Sequence, residues 1–285
     1  RTSWAADCAA SAVDIANAHT SLCIKLRMGL HMKLRLAFIL FTAIYSASFA
    51  KAHEFWVSPD KYLITAEDPI QARLRVGVQM KGVALSYMPN DIARFEVIEQ
   101  HVVRPVVGRM GDNPALAMEP LGVGLAIIVH ETLDARLTYK DFNQFATFVT
   151  HKDAAWALDA HATRGLPQTG FVETYRRHAK SLIAVGDGAG SDRFVGMKIE
   201  LVAEANPYTD DISDGLPLRV LLDGAPRAGA QVELFATQPD GEVSVSLHRT
   251  DSAGRVIVPV ERGVEYLADS IALIALANDD VNAGP

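Results

Sequence analysis

Alternating apolar and polar positions dominate the chain after residue 53. Residues 72–78 alternate, and 94–97 and 101–107 flank a short connection. Residues 122–130 form an apolar run with β-branched Ile127, Ile128 and Val129. These stretches, separated by loops such as the Gly- and Pro-containing 108–114, predict strands. Between about 151 and 186 the period lengthens. Residues 153–162 are rich in Ala and end at Gly165 and Pro167, and 171–185 set Phe171, Val172, Tyr175, Ala179, Leu182 and Ile183 on one stripe. Two helices are predicted here, the second with Glu173 and Arg177 spaced to pair on its outer face. Gly186, Gly188 and Gly190 mark a flexible linker. Beyond it, residues 198–203, 216–222, 230–236, 243–250, 255–260 and 265–268 read as six short strands divided by turns such as Asp223-Gly224 and Arg262-Gly263. Strands at that spacing predict a small β-sandwich. The expected fold is mostly β: an N-terminal β-rich domain over residues 53–192 with a two-helix insert at about 151–186, then an Ig-like/transthyretin-like β-sandwich over 193–285.

The beginning of the chain follows a different pattern. From Met32, Lys33 and Arg35 form a short positive region, residues 36–49 are apolar, and Ala50-Lys51-Ala52 is a small-x-small cleavage signal. Those three parts in order predict a secretory signal peptide over residues 32–52. A membrane anchor fits less well, because the run is short and ends in the small-residue site. Residues 1–31, which hold both cysteines (Cys8 and Cys23), then read as translated sequence upstream of the true start.

Composition narrows the classes. The chain has 285 residues, 49% hydrophobic and 21% charged, with a formal net charge of −7, an ordinary globular composition. Residues 1–52 carry more Lys and Arg than Asp, so the exported part is more acidic still. An acidic surface argues against a nucleic-acid partner. Without cysteine beyond residue 23, the exported part has no disulfide and no Cys-built metal site. No apolar run of about 18 residues occurs outside the N-terminal region, so a soluble, periplasmic protein that does not span the membrane is expected.

Candidate chemistry concentrates at His53. Cleavage after Ala52 makes it the N-terminus, with α-amine and imidazole able to chelate one ion; cleavage after Ala50 places it third. Both arrangements suit Cu(II) or Ni(II), which accept square-planar geometry. A single residue is an incomplete site, so other ligands must converge. His130 ends an apolar strand before Glu131 and is either a pocket-lining ligand or a strand-end surface residue. His178 falls on the apolar helix face and reads as a core histidine, while His151, His161 and His248 read as exposed. Phe55 and Trp56 anchor the first strand and thereby fix the terminus. Asp210, Asp211 and Asp214 read as an acidic turn, not a calcium loop. No zincin, nucleophile-elbow or phosphate-loop motif is present, so no enzyme is expected.

The start His53-Glu54-Phe55-Trp56, the stretch from Phe171 to Leu182, Ile199-Glu200-Leu201-Val202 with Asn206-Pro207, and Leu218 to Gly224 with Pro226 and Gly229 resemble the domain-of-unknown-function 4198 family. Arg249 to Val256 is similar to a turn of transthyretin-like, carboxypeptidase-regulatory-like sandwiches. The resemblance implies an exported periplasmic component of a cobalt- or nickel-type uptake system, with a transporter as partner. The family usually closes with a further aromatic-rich strand, so the sandwich is expected to lack its last strand. Taken together, the expected function is periplasmic binding of Ni(II), Co(II) or Cu(II) through His53 and His130, for uptake or delivery. A non-metal ligand- or protein-binding module is the alternative, followed by a copper oxygenase using a histidine brace.

Overall fold

In a computed structural model, residues 54–275 are described. The expectations for residues 1–31, the signal peptide at 32–52, and His53 fall outside the described residues.

The chain opens with β1 (Glu54–Pro59), which buries Trp56 and Val57, and the two-residue β2 (Leu63–Ile64). β3 (Ile70–Val78) alternates as read, with Ile70, Ala72 and Leu74 on its buried face. Gln79 and Met80, both at positive φ (52° and 58°), turn it into β4 (Lys81–Leu85). Two left-handed residues match the twist of the flanking strands. β5 (Ile92–Glu99), β6 (Val102–Pro105), β7 (Leu116–Met118), β8 (Gly124–Thr132) and β9 (Ala135–Tyr139) follow. Two helices come next, α1 (Phe142–His151) and α2 (Trp156–Thr163), then β10 (Phe171–Tyr175) and β11 (His178–Val185). The remainder contains β12 (Ile199–Ala203), β13 (Leu216–Leu222), β14 (Ala225–Pro226), β15 (Gln231–Thr237), β16 (Val243–Arg249), β17 (Arg255–Val258) and β18 (Glu265–Asp269).

These strands form separate sheets. β1, β3, β4 and β7 make the first; β2, β11, β8, β5 and β6 the second; β12, β13, β14 and β17 the third; β16, β15 and β18 the fourth. β9 and β10 form a two-stranded ribbon. The four larger sheets stand as the blades of a four-blade propeller-like arrangement, with the two helices inserted mid-chain. The expectation of an Ig-like/transthyretin-like β-sandwich is therefore corrected. The six C-terminal strands are present, but strand spacing alone does not say how strands divide among sheets. Here they contribute two of four blades.

The helix expected at 171–185 is also corrected. Its stripe was a coincidence of two periods. In β11, Ala179, Ser181 and Ile183 alternate inward at period two, and β8 pairs with the strand along its whole length, from His178↔Glu131 to Val185↔Gly124. β8 is buried on both faces and needs a strand on each side; β5 and β11 supply them. The first helix instead starts at Asp141, whose Oδ1 accepts from the Asn143 amide at 3.0 Å, an N-cap. Phe142, Phe145, Phe148 and Val149 follow at helical spacing and pack with Tyr139 and Phe171.

The main core lies between the first two sheets. Val57, Ile70, Ala72 and Leu74 meet Phe95, Val97, Ile128 and Ile183 there. On the opposite face of the second sheet, Lys180 Nζ donates to Glu200 Oε1 (2.7 Å) and Asp192 Oδ1 (3.0 Å), which straps residues 192–200 across it.

Candidate functional site

His130 sits near the end of β8, opposite Phe95 of β5 and Ala179 of β11. The pleat sends it into the main core. Its ring lies 5.2 Å from Phe55 of β1 and 4.9 Å from Phe95, the latter edge-on. It is 2% exposed, and neither Nδ1 nor Nε2 has a hydrogen-bond partner among the described residues. A neutral imidazole carries one donor and one acceptor. Leaving a buried polar group unmade costs about 1–3 kcal/mol. Burial lowers the His130 pKa to about 4, which keeps the ring neutral near pH 7.

Glu131, the next residue, points to the other face of the same sheet. Its Oε2 meets His178 Nδ1 at 3.0 Å and its Oε1 accepts from Arg94 Nη1 at 3.3 Å. Arg94 also donates to Glu96 and to the Val195 carbonyl. Burial lowers the His178 pKa, and Glu131 opposes that shift. A carboxylate holding one ring nitrogen fixes the tautomer and orientation of the other.

A second polar cluster adjoins the start of β1. The Glu54 carboxylate accepts from the Gln79 amide at 2.6 Å, and burial raises its pKa. Nearby, Lys152 Nζ is buried between Glu233 (2.8 Å) and Asp269 (3.0 Å). His151 Nδ1 lies 3.6 Å from Glu233 Oε1, with its own side chain largely exposed. The single Lys152 cation offsets one of the two carboxylate charges that flank it.

The remaining histidines are scattered. His161 is buried, contrary to the exposed position read for it: Nε2 lies 2.9 Å from the Pro167 carbonyl, and Phe142, Phe145 and Phe171 surround the ring. His178 is part of a strand and holds Glu131, instead of lying on an apolar helix face. His248 meets Ser246 Oγ, and Asp210 and Asp211 accept amide protons from Asn206 and Ser213 as turn residues do. No group of three His, Cys, Asp or Glu that could hold a metal ion occurs among the described residues. His130 is thus a lone imidazole, and His53, its expected companion, lies outside them. Sequence reasoning missed both the Glu131–His178 pair and the Lys152 cluster. The first depends on β8–β11 register, and the second joins residues more than eighty positions apart.

A family model described as a domain of unknown function (DUF4198) matches residues 50–272. No curated protein matches. Among solved structures, the chain is similar to one titled "Crystal structure of tetra-tandem repeat in extending region of large adhesion protein", at 12% identity and a TM-score of 0.19. That match covers 78% of this chain, and the chain spans about 50% of the length of that one.

Proposed function

The chain belongs to the DUF4198 family, and from that membership we propose that it is a periplasmic binding protein for Ni(II), Co(II) or Cu(II) that passes its ion to an uptake transporter. The family is one of exported, periplasmic proteins linked to cobalt/nickel uptake, and the leader-like residues 32–52 agree with that placement. The ion is cargo, and the protein turns over no substrate. His53 supplies the primary ligands, its imidazole and, where cleavage follows Ala52, the new α-amine. The free amine has a pKa of about 7.7–8.0, so binding displaces a proton and weakens as pH falls.

The observation that carries the reading is His130. Its two ring nitrogens are buried without partners directly behind Phe55. His53 lies two positions before Phe55, a chain length of at most about 7 Å. On this reading His130 is the second imidazole of the site beside His53.

Calorimetric titration of Ni(II), Co(II) and Cu(II) into exported protein, its N-terminal residue identified by mass spectrometry, tests this. The proposal expects His53→Ala to weaken binding at least about tenfold, equivalent to about 1.4 kcal/mol. His130→Ala should weaken it as well. Unchanged affinity for all three ions in His53→Ala would refute it.

A further inference from the structure

Several free sheet edges among the described residues are blunted. β2 and β14 are two residues long, β6 closes on Pro105, and β4 carries Lys81 and Gly82. Short strands, Pro and Lys are the usual devices that stop a sheet from pairing with another chain. β12 has its Ala203 amide taken by Asp192. β16 has none of these features. It lies at the edge of its sheet, paired only to β15, and runs for seven residues without Pro, Gly or Lys. Val245 and Leu247 stand 41% and 61% exposed on one of its faces.

Its sequence is close to a palindrome in chemistry. One face carries Val243, Val245 and Leu247; the other carries Ser244, Ser246 and His248, with Glu242 just before the strand. We propose that β16 pairs antiparallel with β16 of a second copy of this chain, the two-fold axis passing between the two Val245 residues. In that register Val243 stands opposite Leu247 of the second copy, Ser244 opposite Ser246, and Glu242 opposite His248. Apolar side chains then meet on one face, and carboxylate meets imidazole at both ends of the other. Shifting the axis to Ser246 would keep Val245 opposite Leu247 but would set Val243 against Arg249 and Glu242 against Thr250, losing the carboxylate–imidazole match. Only registers displaced by whole residues keep the faces aligned, so the choice is discrete. The result joins two three-stranded sheets into one of six and covers both β16 edges, with β18 at each outer edge. A two-fold interface of this kind is self-complementary, as closed dimers require.

Sedimentation equilibrium of the exported protein should give the mass of two chains. Leu247→Lys should reduce it to one chain, or raise the dissociation constant at least tenfold, with the circular dichroism spectrum unchanged. Glu242→Lys should weaken the dimer, and Glu242→Lys combined with His248→Glu should restore it. The axis is tested by a single cysteine. Opposed strand residues have Cα atoms about 4.5–5.5 Å apart, within disulfide reach. Val245→Cys should oxidise to a linked dimer on a non-reducing gel, whereas Ile257→Cys, more exposed and on β17, should not. A single-chain mass at every concentration overturns the proposal, as does a dimer in which Leu247→Lys has no effect. A dimer in which Ile257→Cys links and Val245→Cys does not overturns the interface.

Discussion

Replacing His130 by Leu should abolish a specific acid-dependent part of the protein's stability. The magnitude follows from the burial of the ring. An ordinary histidine titrates near 6.5, and His130 in the fold titrates at about 4, with desolvation as the cause. Between those values the unfolded chain takes up a proton that the folded chain refuses. Stability therefore falls as pH drops through that window; the loss begins near 6.5 and is complete just below 4. A difference of roughly 2.5 pKa units corresponds to about 3 kcal/mol. His130→Leu keeps the position apolar and removes the titration. Urea denaturation of both chains from pH 4 to 8, with chelator present, measures the effect as the difference between their unfolding free energies. His178 also has a depressed pKa, but both chains contain it and its contribution cancels. The difference should be flat above about pH 7 and should shift by about 3 kcal/mol in favour of the variant by pH 4. Its sign at neutral pH is set by two opposing effects, the smaller side chain and the removal of two unpaired ring nitrogens. Only the pH-dependent part bears on the argument. Parallel curves for the two chains across the whole range would refute it, because they would mean that the ring is protonated, or hydrated, inside the fold.

Two further outcomes follow from polar groups elsewhere. Lys180→Met should strand the Glu200 and Asp192 carboxylates, whose side chains are 0% and 2% exposed, and destabilise the protein by about 3–5 kcal/mol. A lowered urea midpoint with an unchanged slope would show it, and a loss under about 1 kcal/mol would mean that water reaches the network. Asp141→Ala should cost about 1 kcal/mol through loss of the α1 N-cap, visible as a thermal midpoint lower by about 2–4 °C; an unshifted midpoint would mean that α1 frays at its start in any case.

Strands with clear alternation or with turns at both ends were legible in the sequence. β3 and the C-terminal strands β12, β13, β15, β16 and β17 lie within a few residues of the predicted stretches, because Gly-containing turns bound them and β-branched residues fill them. The helical insert was legible in kind and misplaced in position. Ala content drew the reading to 153–162, where α2 lies, but α1 begins eleven residues earlier and was hidden by its aromatic content. Phe142, Phe145 and Phe148 have spacing that suits a helix and side chains that suit a strand. Sheet membership was not legible at all. β13 pairs with β12, β14 and β17, and β15 with β16 and β18, and nothing in the spacing of those strands distinguishes two blades from the two layers of a sandwich.

The candidate site shows the same limit at the scale of one residue. His130 and Glu131 are neighbours on a strand, so one must face the core and the other must face away. Which does which is normally read from alternation, and β8 has none, since every residue from Leu125 to His130 is buried. A central strand with both faces covered erases the period that would orient its end. The orientation is decided instead by the neighbours. Phe95 on one side and Ala179 on the other share the core face with His130, while Arg94 and His178 share the opposite face with Glu131. Reading β11 as a helix removed one of those neighbours from view, and with it the reason why His130 is enclosed and His178 is bound to a carboxylate. A single error of period at residues 171–185 therefore accounts for the missing β8–β11 pairing and for the misreading of His178. For that reason, pairing partners carry more information than local pattern wherever a histidine ends a buried strand.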